Sequence, residues 1–281
     1  MNKIKITCDS TCDLTKEIYE RYQVTVMPLG VILGDELHHD GVNITAEGIF
    51  EYVDKTGELP KTAAASIAEY TDLFRTYVDQ GYSVIHINLS SEFSSCYQNA
   101  CIAAQEVGNV YPIDSRNLSS GSGHLVIEAA KMAEEGLEAA EIAERLNKLQ
   151  EKLDVSFVLQ TLDYLKKGGR CSSILALGAN ILQLRPEIEV IDGAMRVGHK
   201  YRGKMKKTIL DYVRGRLEGR TDIDTGRIFV THSHVPEEIV AEVIALVKEL
   251  QPFEEVVETI AGCTITSHCG PACLGVLFLK R

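Results

Sequence analysis

Short apolar runs alternate with amphipathic segments along the first half of the chain. The runs IKIT, SVIHINLS and NVYPIDS predict buried strands, because apolar runs of about four to eight residues between polar turns are typical of strands. IAEYTDLFRTYVDQG predicts a helix, with Ser66 and Glu69 as a capping box at its start and Gly81 at its end. A further strand region is predicted over VTVMPLGVIL, followed by a hairpin turn over GDELHHDG. This order predicts a mostly parallel sheet covered by helices.

The pattern changes after residue 153. PEIEVIDGAMRVGHKYRG alternates between apolar and polar residues around Asp192-Gly193, a dipeptide that is typical of hairpin turns. The helix KKTILDYVRGRLEG and the strands RIFVTHS and LGVLFLK follow, so the second half is predicted to be mixed α/β with at least one antiparallel pair. The predicted fold class is α/β, with two α/β domains that comprise residues 1–153 and residues 154–281.

Composition and charge exclude several classes of protein. The 281 residues carry a net charge of -11, which argues against a nucleic-acid partner, since nucleic-acid-binding proteins usually present a basic face. MNKIKITCDS is too polar for a signal peptide or a membrane anchor, so a cytoplasmic location is expected. The eight cysteines are interpreted as small buried thiols rather than as a zinc site, because the closest pairs, such as Cys269 and Cys273, do not have two-residue spacing.

Four polar loops follow predicted strands or precede predicted helices. In an open α/β sheet, ligands bind outside the carboxyl ends of the strands, beside the N-termini of the next helices. Each loop taken alone is explained by helix capping, because Ser, Thr and Asp favour helix starts. Together the loops predict an anion pocket lined by hydroxyl groups. They are CDSTCD, KTAAAS, SSEFSSCYQ and IDSRNLSSGSG.

An ordered series of motifs extends along the chain: CDSTCDL, KTAAAS, LSSEFSSCYQ, IDSRNLSSGSG, LDYLKKGGRCSSI, LRPEIEVIDGAM, HSHVPE and SHCGPACLG. In this order they resemble the successive signatures of the DegV family of bacterial fatty-acid-binding proteins. The resemblance implies two α/β domains that enclose a fatty acid at their junction. It also implies a non-catalytic carrier, with no cofactor, that presents the bound carboxylate to a separate fatty acid kinase and so feeds phospholipid synthesis.

The resemblance also implies which residues hold the carboxylate. Thr62 matches the threonine of the family's Thr-Ser-Gln-Pro-Ser loop, Ser94 the serine of its Leu-Ser-Gly-Thr loop, and His268 the histidine of its His-x-Gly-Pro motif. Arg170 matches the arginine after Lys-Gly-Gly. TAAAS and SSC replace the usual loop sequences beside the head-group site, so they bear on loop shape and chain selectivity. A second tier of pocket residues, expected to shape the loops around the domain junction, comprises Asp9, Ser10, Ser95 and Ser115.

A fatty acid suits these side chains chemically. Burying about 14 methylenes at ~0.8 kcal/mol each gives on the order of 11 kcal/mol of transfer free energy, so the tail supplies the affinity. Removing the carboxylate from water costs several kcal/mol, which hydrogen bonds from hydroxyls and one imidazole can offset. Unlike a lysine or an arginine, these donors leave the carboxylate oxygen nucleophilic towards a phosphoryl group.

Some of these features have a plainer interpretation. His268 without its motif would be read as a core histidine. Arg170 is explained equally by a helix C-terminus, where basic residues complement the dipole, and by a docking contact for the kinase or for an anionic membrane surface. CSSILALGANILQLRP is either a core helix or the lid of the tail tunnel. His232 and His234 are not interpreted as metal ligands, because side chains near a strand end alternate between opposite faces.

Two other functions compete with the carrier. A serine-dependent lipid esterase would use Ser94 as nucleophile and His268 as base. Asp9 or Asp114 would orient that base. The chain lacks a Gly-x-Ser-x-Gly elbow, however, because SSGSGH has Ser120 where the first glycine belongs. A DNA-binding regulator is disfavoured by the negative charge and by the lack of a recognition-helix motif.

Overall fold

A computed structural model describes residues 3–172 and 184–281. Strands and helices alternate along these ranges, as the sequence predicts. The strands are β1 (Lys3–Asp9), β2 (Thr25–Met27), β3 (Gly30–Leu33), β4 (Glu36–His39), β5 (Lys61–Ala63), β6 (Tyr82–Asn88), β7 (Val110–Asp114), β8 (Leu153–Val158), β9 (Leu184–Ile191), β10 (Ala194–Arg202), β11 (Ile223–Ser233), β12 (Glu255–Ile260) and β13 (Cys273–Lys280). The helices are α1 (Lys16–Arg21), α2 (Ala46–Thr56), α3 (Ile67–Val78), α4 (Cys96–Val107), α5 (Ser119–Glu134), α6 (Ala139–Leu149), α7 (Asp163–Gly168), α8 (Met205–Leu217), α9 (Glu237–Leu250) and α10 (Cys263–Cys269).

The first sheet is parallel and has the strand order β2-β1-β6-β7. Helices bury apolar side chains against both of its faces. Phe74 of α3 shares a buried cluster with Val84 of β6, and Leu125 of α5 shares another with Ile85 of the same strand. Because both faces are covered, the strands read as continuous apolar runs rather than as alternating ones. The predicted parallel sheet with flanking helices is confirmed.

The second sheet is mixed and has the strand order β10-β9-β8-β13-β11-β12. β11 and β12 are parallel, and the other neighbouring strands are antiparallel. The predicted hairpin joins β9 to β10 through Asp192 and Gly193, whose φ angles of 53° and 83° are those that a tight hairpin turn requires. Tyr212 of α8 and Val243 of α9 share a buried cluster with Phe278 of β13. The predicted mixed second half is confirmed.

A small antiparallel sheet, with the order β4-β3-β5, was not expected from the sequence. The predicted strand region VTVMPLGVIL is divided at Pro28, which lacks the amide hydrogen that a strand ladder needs. β2 therefore joins the parallel sheet, and β3 joins the small one. The predicted hairpin turn over GDELHHDG is also shorter than expected, because Gly34 and Asp35 form the turn and the next residues continue as β4.

The predicted start of α3 is confirmed. Ser66 Oγ accepts a hydrogen bond from Glu69 N at 3.3 Å, and the Glu69 carboxylate accepts one from Ser66 N at 2.7 Å. These bonds satisfy amides that have no partner inside the helix. The helix ends at Val78, and Gly81 follows in the left-handed region with a φ of 82°.

The two large sheets share one hydrophobic core. Ile6 and Ile85 of the parallel sheet lie in the same buried cluster as Val155 and Phe229 of the mixed sheet. The mixed sheet begins in chain order with β8 at Leu153, whereas the division into two domains at that residue stays a prediction. All eight cysteines lie within the described ranges, where none of them forms a disulfide, and all but Cys101 are buried. In the same ranges, no helix combines the length and apolar character needed to cross a bilayer.

Candidate ligand-binding site

A cavity lies between the two large sheets and is lined on one side by α10. About 890 Å³ of it is free of protein atoms, with part of that space open to solvent. Most of its wall is apolar, with Leu89, Phe93, Phe157, Met195 and Leu277 among the lining residues.

Thr62 and His268 meet in the wall of this cavity. Thr62 lies in β5, at an edge of the small sheet, and His268 lies in the last turn of α10. Thr62 Oγ1 and His268 Nε2 are 2.8 Å apart, which is a normal hydrogen-bond distance. The two residues are 206 positions apart in the sequence, so the tertiary fold alone brings them together.

The imidazole of His268 is neutral at pH 7. Burial, together with the nearby Arg170 guanidinium, lowers the pKa of His268 to about 4. Its Nδ1 packs against Gly168 and has no hydrogen-bond partner among the described residues. A proton on Nε2 therefore lets His268 donate to Thr62 Oγ1, which leaves the threonine hydrogen free to point into the cavity.

Ser94 and Arg170 line the cavity with this pair. The Ser94 hydroxyl donates to Cys96 Sγ at 3.1 Å and accepts from Cys96 N at 3.3 Å, at the start of α4. Arg170 Nε donates to Phe93 O at 3.2 Å, and its Nη1 donates to Gly168 O at 2.6 Å. The guanidinium thus ties the loop that carries Ser94 to the end of α7.

A buried carboxylate from outside α10 holds the start of that helix. Asp40, directly after β4, accepts hydrogen bonds from Cys263 N at 2.8 Å and Thr264 N at 2.9 Å. It also accepts one from Ser10 Oγ at 3.0 Å. The first amides of a helix have no partner within it, so Asp40 caps α10 from a distant part of the chain. This role of Asp40, which holds the helix that carries His268 in place, was not predicted from the sequence.

A second buried carboxylate, Asp13, joins α5 to the same helix start. It accepts hydrogen bonds from Ser119 Oγ at 2.5 Å and from Gly262 N at 2.9 Å. Burial raises the pKa of Asp13 to about 8, and the nearby Asp40 adds to the rise, whereas the two hydrogen bonds oppose it. Asp13 is therefore mostly protonated at pH 7, next to a serine that lines the cavity.

Asp13→Asn is expected to flatten the dependence of stability on pH. A carboxyl group whose pKa rises on folding stabilises the fold in full below its unfolded pKa of about 4, and this contribution is lost as the pH rises through about 8. Urea unfolding at several pH values across this window should show falling stability for the wild type and a flatter profile for the variant. Asn replacing the exposed Asp35 is the control and should keep the wild-type slope. A wild-type slope in Asp13→Asn would contradict the assignment.

The chain is similar to one family of proteins along its whole length. A family model described as "Uncharacterised protein, DegV family" matches residues 3–281. The chain belongs to the DegV family. A DegV domain-containing protein of Clostridium perfringens is 31% identical to it, with 100% of both chains covered.

Solved DegV structures share the fold. A structure described as fatty acid binding of a DegV family protein from Thermus thermophilus is 30% identical, with a TM-score of 0.87 over 99% of this chain and 100% of that chain. A fatty acid (stearic acid)-binding protein from Eubacterium ventriosum is 27% identical, with a TM-score of 0.87 over 100% of this chain and 98% of that chain. Structures related to this DegV chain therefore bind fatty acids.

The residues predicted to hold a carboxylate all line the same cavity of this DegV chain. They are Thr62, Ser94 and His268, and Arg170 lines it with them. The set provides two hydroxyls and one neutral imidazole next to an apolar chamber. Such an arrangement can hold a molecule with a small anionic head and a long apolar tail, while the role of each residue stays a prediction.

Two second-tier residues, Asp9 and Ser10, support the DegV fold from outside the cavity wall, as far as the described residues form that wall. Asp9 is fully buried, and its carboxylate accepts hydrogen bonds from Tyr70 Oη at 2.6 Å and Leu89 N at 2.8 Å. The oxygens of the Asp9 carboxylate therefore accept hydrogen bonds within the parallel sheet and its flanking helix. Ser10 accepts from Leu29 N at 3.2 Å and donates to the helix-capping carboxylate described above. Both residues shape the surroundings of the cavity and do not face it.

Ser95 and Ser115, the other second-tier residues, are also absent from the described part of the cavity wall. Ser95 is exposed, at the N-terminal boundary of α4. The Ser115 hydroxyl donates to Asn117 O at 3.1 Å and accepts from Ser122 Oγ at 2.8 Å, so the loop itself uses it. Local hydrogen bonds occupy Ser115 and solvent surrounds Ser95, so neither faces the described wall, and their part in the pocket stays a prediction.

The two histidines of the HSH motif make unrelated contacts. His232 Nε2 lies 3.1 Å from Glu258 Oε1, and the His234 ring packs edge-on against Phe50 with centroids 5.4 Å apart. Among residues 3–172 and 184–281, no group of three or more potential metal ligands is found.

The predicted lid, residues 171–186, falls mainly on residues 173–183, which lie outside the described residues.

Proposed function

We propose that this protein binds a long-chain fatty acid in the cavity and holds its carboxylate at the end formed by Thr62, Ser94 and His268. The observation that carries the proposal is an apolar chamber whose wall also holds Thr62, Ser94 and His268, with Thr62 and His268 within hydrogen-bond distance of each other. Each buried methylene contributes ~0.8 kcal/mol, so an apolar wall suits a long tail. The fatty-acid-binding relatives at 30% and 27% identity support the choice of ligand.

The head group is held by donors that carry no full charge. His268 fixes the orientation of the Thr62 hydroxyl, which then donates to one carboxylate oxygen. Ser94 supplies a second donor by turning its hydroxyl away from Cys96 Sγ, a weak acceptor. Hydrogen bonds to a charged group contribute about 1.5–3 kcal/mol each, which offsets the several kcal/mol that desolvation of the carboxylate costs. Since these donors do not neutralise the carboxylate, its oxygen keeps its nucleophilic character.

We infer further that the protein is a non-catalytic carrier that presents this oxygen to a separate fatty acid kinase. In that reaction the carboxylate oxygen attacks the terminal phosphorus of ATP, the new O–P bond gives an acyl phosphate, and ADP leaves. The product would feed phospholipid synthesis. Arg170 is exposed beside the head-group end, where it suits a docking contact with the kinase or with an anionic membrane surface.

The esterase alternative has less support. A serine nucleophile needs its base within hydrogen-bond reach, whereas His268 Nε2 is engaged by Thr62 and the Ser94 hydroxyl is engaged by Cys96. Hydrolysis of a lipid ester by the purified protein, lost in Ser94→Ala, would reverse this preference.

The carrier proposal requires that a purified bacterial fatty acid kinase form acyl phosphate from ATP and the loaded protein. The kinase should form none from free fatty acid alone.

Thr62→Val is expected to weaken stearate binding by about tenfold or more. Valine keeps the shape of threonine but loses the hydroxyl, so the carboxylate loses one hydrogen bond. Isothermal titration of delipidated protein with stearate measures the change. Thr71→Val is the control, because it makes the same substitution at a buried threonine of α3, away from the described cavity wall. Equal losses in the two variants would contradict the role of Thr62.

A further inference from the structure

One hydroxyl in the described cavity wall has no hydrogen-bond partner among residues 3–172 and 184–281. Thr264, in α10, is 4% exposed and lines the cavity. Its backbone amide donates to Asp40, but its Oγ1 makes no hydrogen bond to any described residue. Leaving a buried hydroxyl unpaired costs about 1–3 kcal/mol, so a group in a ligand that pairs with it would recover stability.

Thr264 lies one helical turn from the head-group end. Thr264 and His268 both line the cavity and lie four positions apart in α10, a spacing that places residues on one face of a helix. Four residues at 1.5 Å each put Thr264 about 6 Å from His268 along the helix axis. Arg170 and Ser94 stand near the His268 end, whereas Ala261 N bonds to His232 O at the opposite end. Thr264 therefore faces the first part of a bound tail rather than its carboxylate.

The neighbouring hydroxyls of this wall already have partners. Ser119 Oγ donates to Asp13 at 2.5 Å, and Thr231 Oγ1 lies 2.7 Å from Thr259 Oγ1. Thr266, in the same helix, donates to Ala261 O at 3.1 Å and is not among the described lining residues. The unpaired state of Thr264 Oγ1 is thus a property of that one position and not of every threonine in α10.

We propose that Thr264 selects fatty acids that carry an oxygen substituent, a hydroxyl or a keto group, on the part of the chain about one helical turn from the carboxylate. This inference rests on the proposed fatty-acid binding and deepens it by naming a class of acid. An unsubstituted tail leaves Thr264 Oγ1 unpaired, whereas an oxygen at the matching carbon forms a hydrogen bond with it. An oxygen at any other carbon meets apolar wall or a hydroxyl that already has a partner, and it weakens binding.

The test compares stearate with a series of hydroxystearates, each with its hydroxyl on a different carbon of the chain. The affinity of the delipidated protein for each acid is measured by displacement of a fluorescent fatty acid. Each value is then divided by the affinity of the same protein for stearate. In the wild type, the isomer whose hydroxyl meets Thr264 is expected to bind about three- to tenfold more tightly than stearate. Thr264→Val should remove this preference and bind stearate at least as tightly as the wild type does, because the variant has no unpaired hydroxyl.

Two further variants separate a ligand contact from a structural effect. Thr264→Ser keeps the hydroxyl and should keep the preference, and Thr266→Val, which loses a hydroxyl outside the described wall, should also keep it. The inference is overturned if every hydroxystearate binds more weakly than stearate, or if Thr264→Val retains the preference. If neither stearate nor any hydroxystearate binds, the proposed fatty-acid binding itself has failed.

Discussion

Replacing Gly168 with alanine is expected to reduce stearate affinity by about tenfold or more. A Cβ at this position would lie 2.2 Å from His268 Nδ1 and 2.9 Å from its Cε1, so the imidazole must move. Gly168 ends α7 without a positive φ, and alanine therefore fits its backbone. The displaced ring loses its hydrogen bond to Thr62, and the head-group donors lose their arrangement. Titration with stearate measures the effect.

The neighbouring glycine offers a matched control. Gly169 has a φ of 70°, and a Cβ there meets no atom within 4 Å. Alanine at Gly169 should destabilise the protein by about 1 kcal/mol through backbone strain while leaving stearate affinity unchanged. Wild-type affinity in Gly168→Ala, or equal losses of affinity in both variants, would show that the His268 ring position does not govern binding.

Asp40→Ala is expected to lower the free energy of unfolding by about 2–4 kcal/mol. The variant leaves the amides of Cys263 and Thr264 and the hydroxyl of Ser10 without their acceptor. Two of these donors are the first amides of a short helix, where a lost cap alone costs about 1 kcal/mol and an unsatisfied buried donor costs more. Urea unfolding measures the loss.

Binding should weaken with stability in Asp40→Ala, because α10 carries His268. Alanine at the exposed Asp35, five positions earlier in the chain, removes the same charge from a turn and should change the free energy of unfolding by less than about 0.5 kcal/mol. Similar stability of the two variants would contradict the capping role of Asp40.

Features set by neighbouring residues were predictable from the sequence. The Asp192-Gly193 turn needs two residues that tolerate positive φ, and the capping box of Ser66 and Glu69 needs groups three positions apart. The alternation of strands and helices likewise follows from local patterns of apolar residues. These local signals predicted the hairpin directly, and the order of strands and helices that they gave predicted the parallel and the mixed sheet.

The helix that carries His268 shows where such reasoning stops. The segment CTITSHC is rich in threonine and isoleucine, which favour strands, and it has no local capping side chain. Its cap is Asp40, more than two hundred residues earlier in the chain. No pattern within the segment can reveal that partner, so α10 was not predicted, and His268 was identified through family resemblance alone.

Pairs that form across the fold were missed for the same reason. Gly168 was visible in the Lys-Gly-Gly motif, but the contact that requires a glycine is made with the ring of His268, one hundred positions later. Asp13 was part of the quoted loop CDSTCD, yet its elevated pKa follows from burial against α5 and α10, which depends on the whole fold. Asp9 and Ser115 belong to equally polar loops, and only their partners show that they do not face the cavity.

A crystal structure of the protein with bound stearate tests the central claim most directly. The proposal predicts one carboxylate oxygen within about 2.6–3.2 Å of Thr62 Oγ1, with Ser94 Oγ in similar reach of the head group. The tail should extend along α10 past Thr264, over the apolar side chains that line the cavity. A carboxylate bound elsewhere, a tail that leaves the cavity empty, or a crystal without acid at saturating stearate would contradict it.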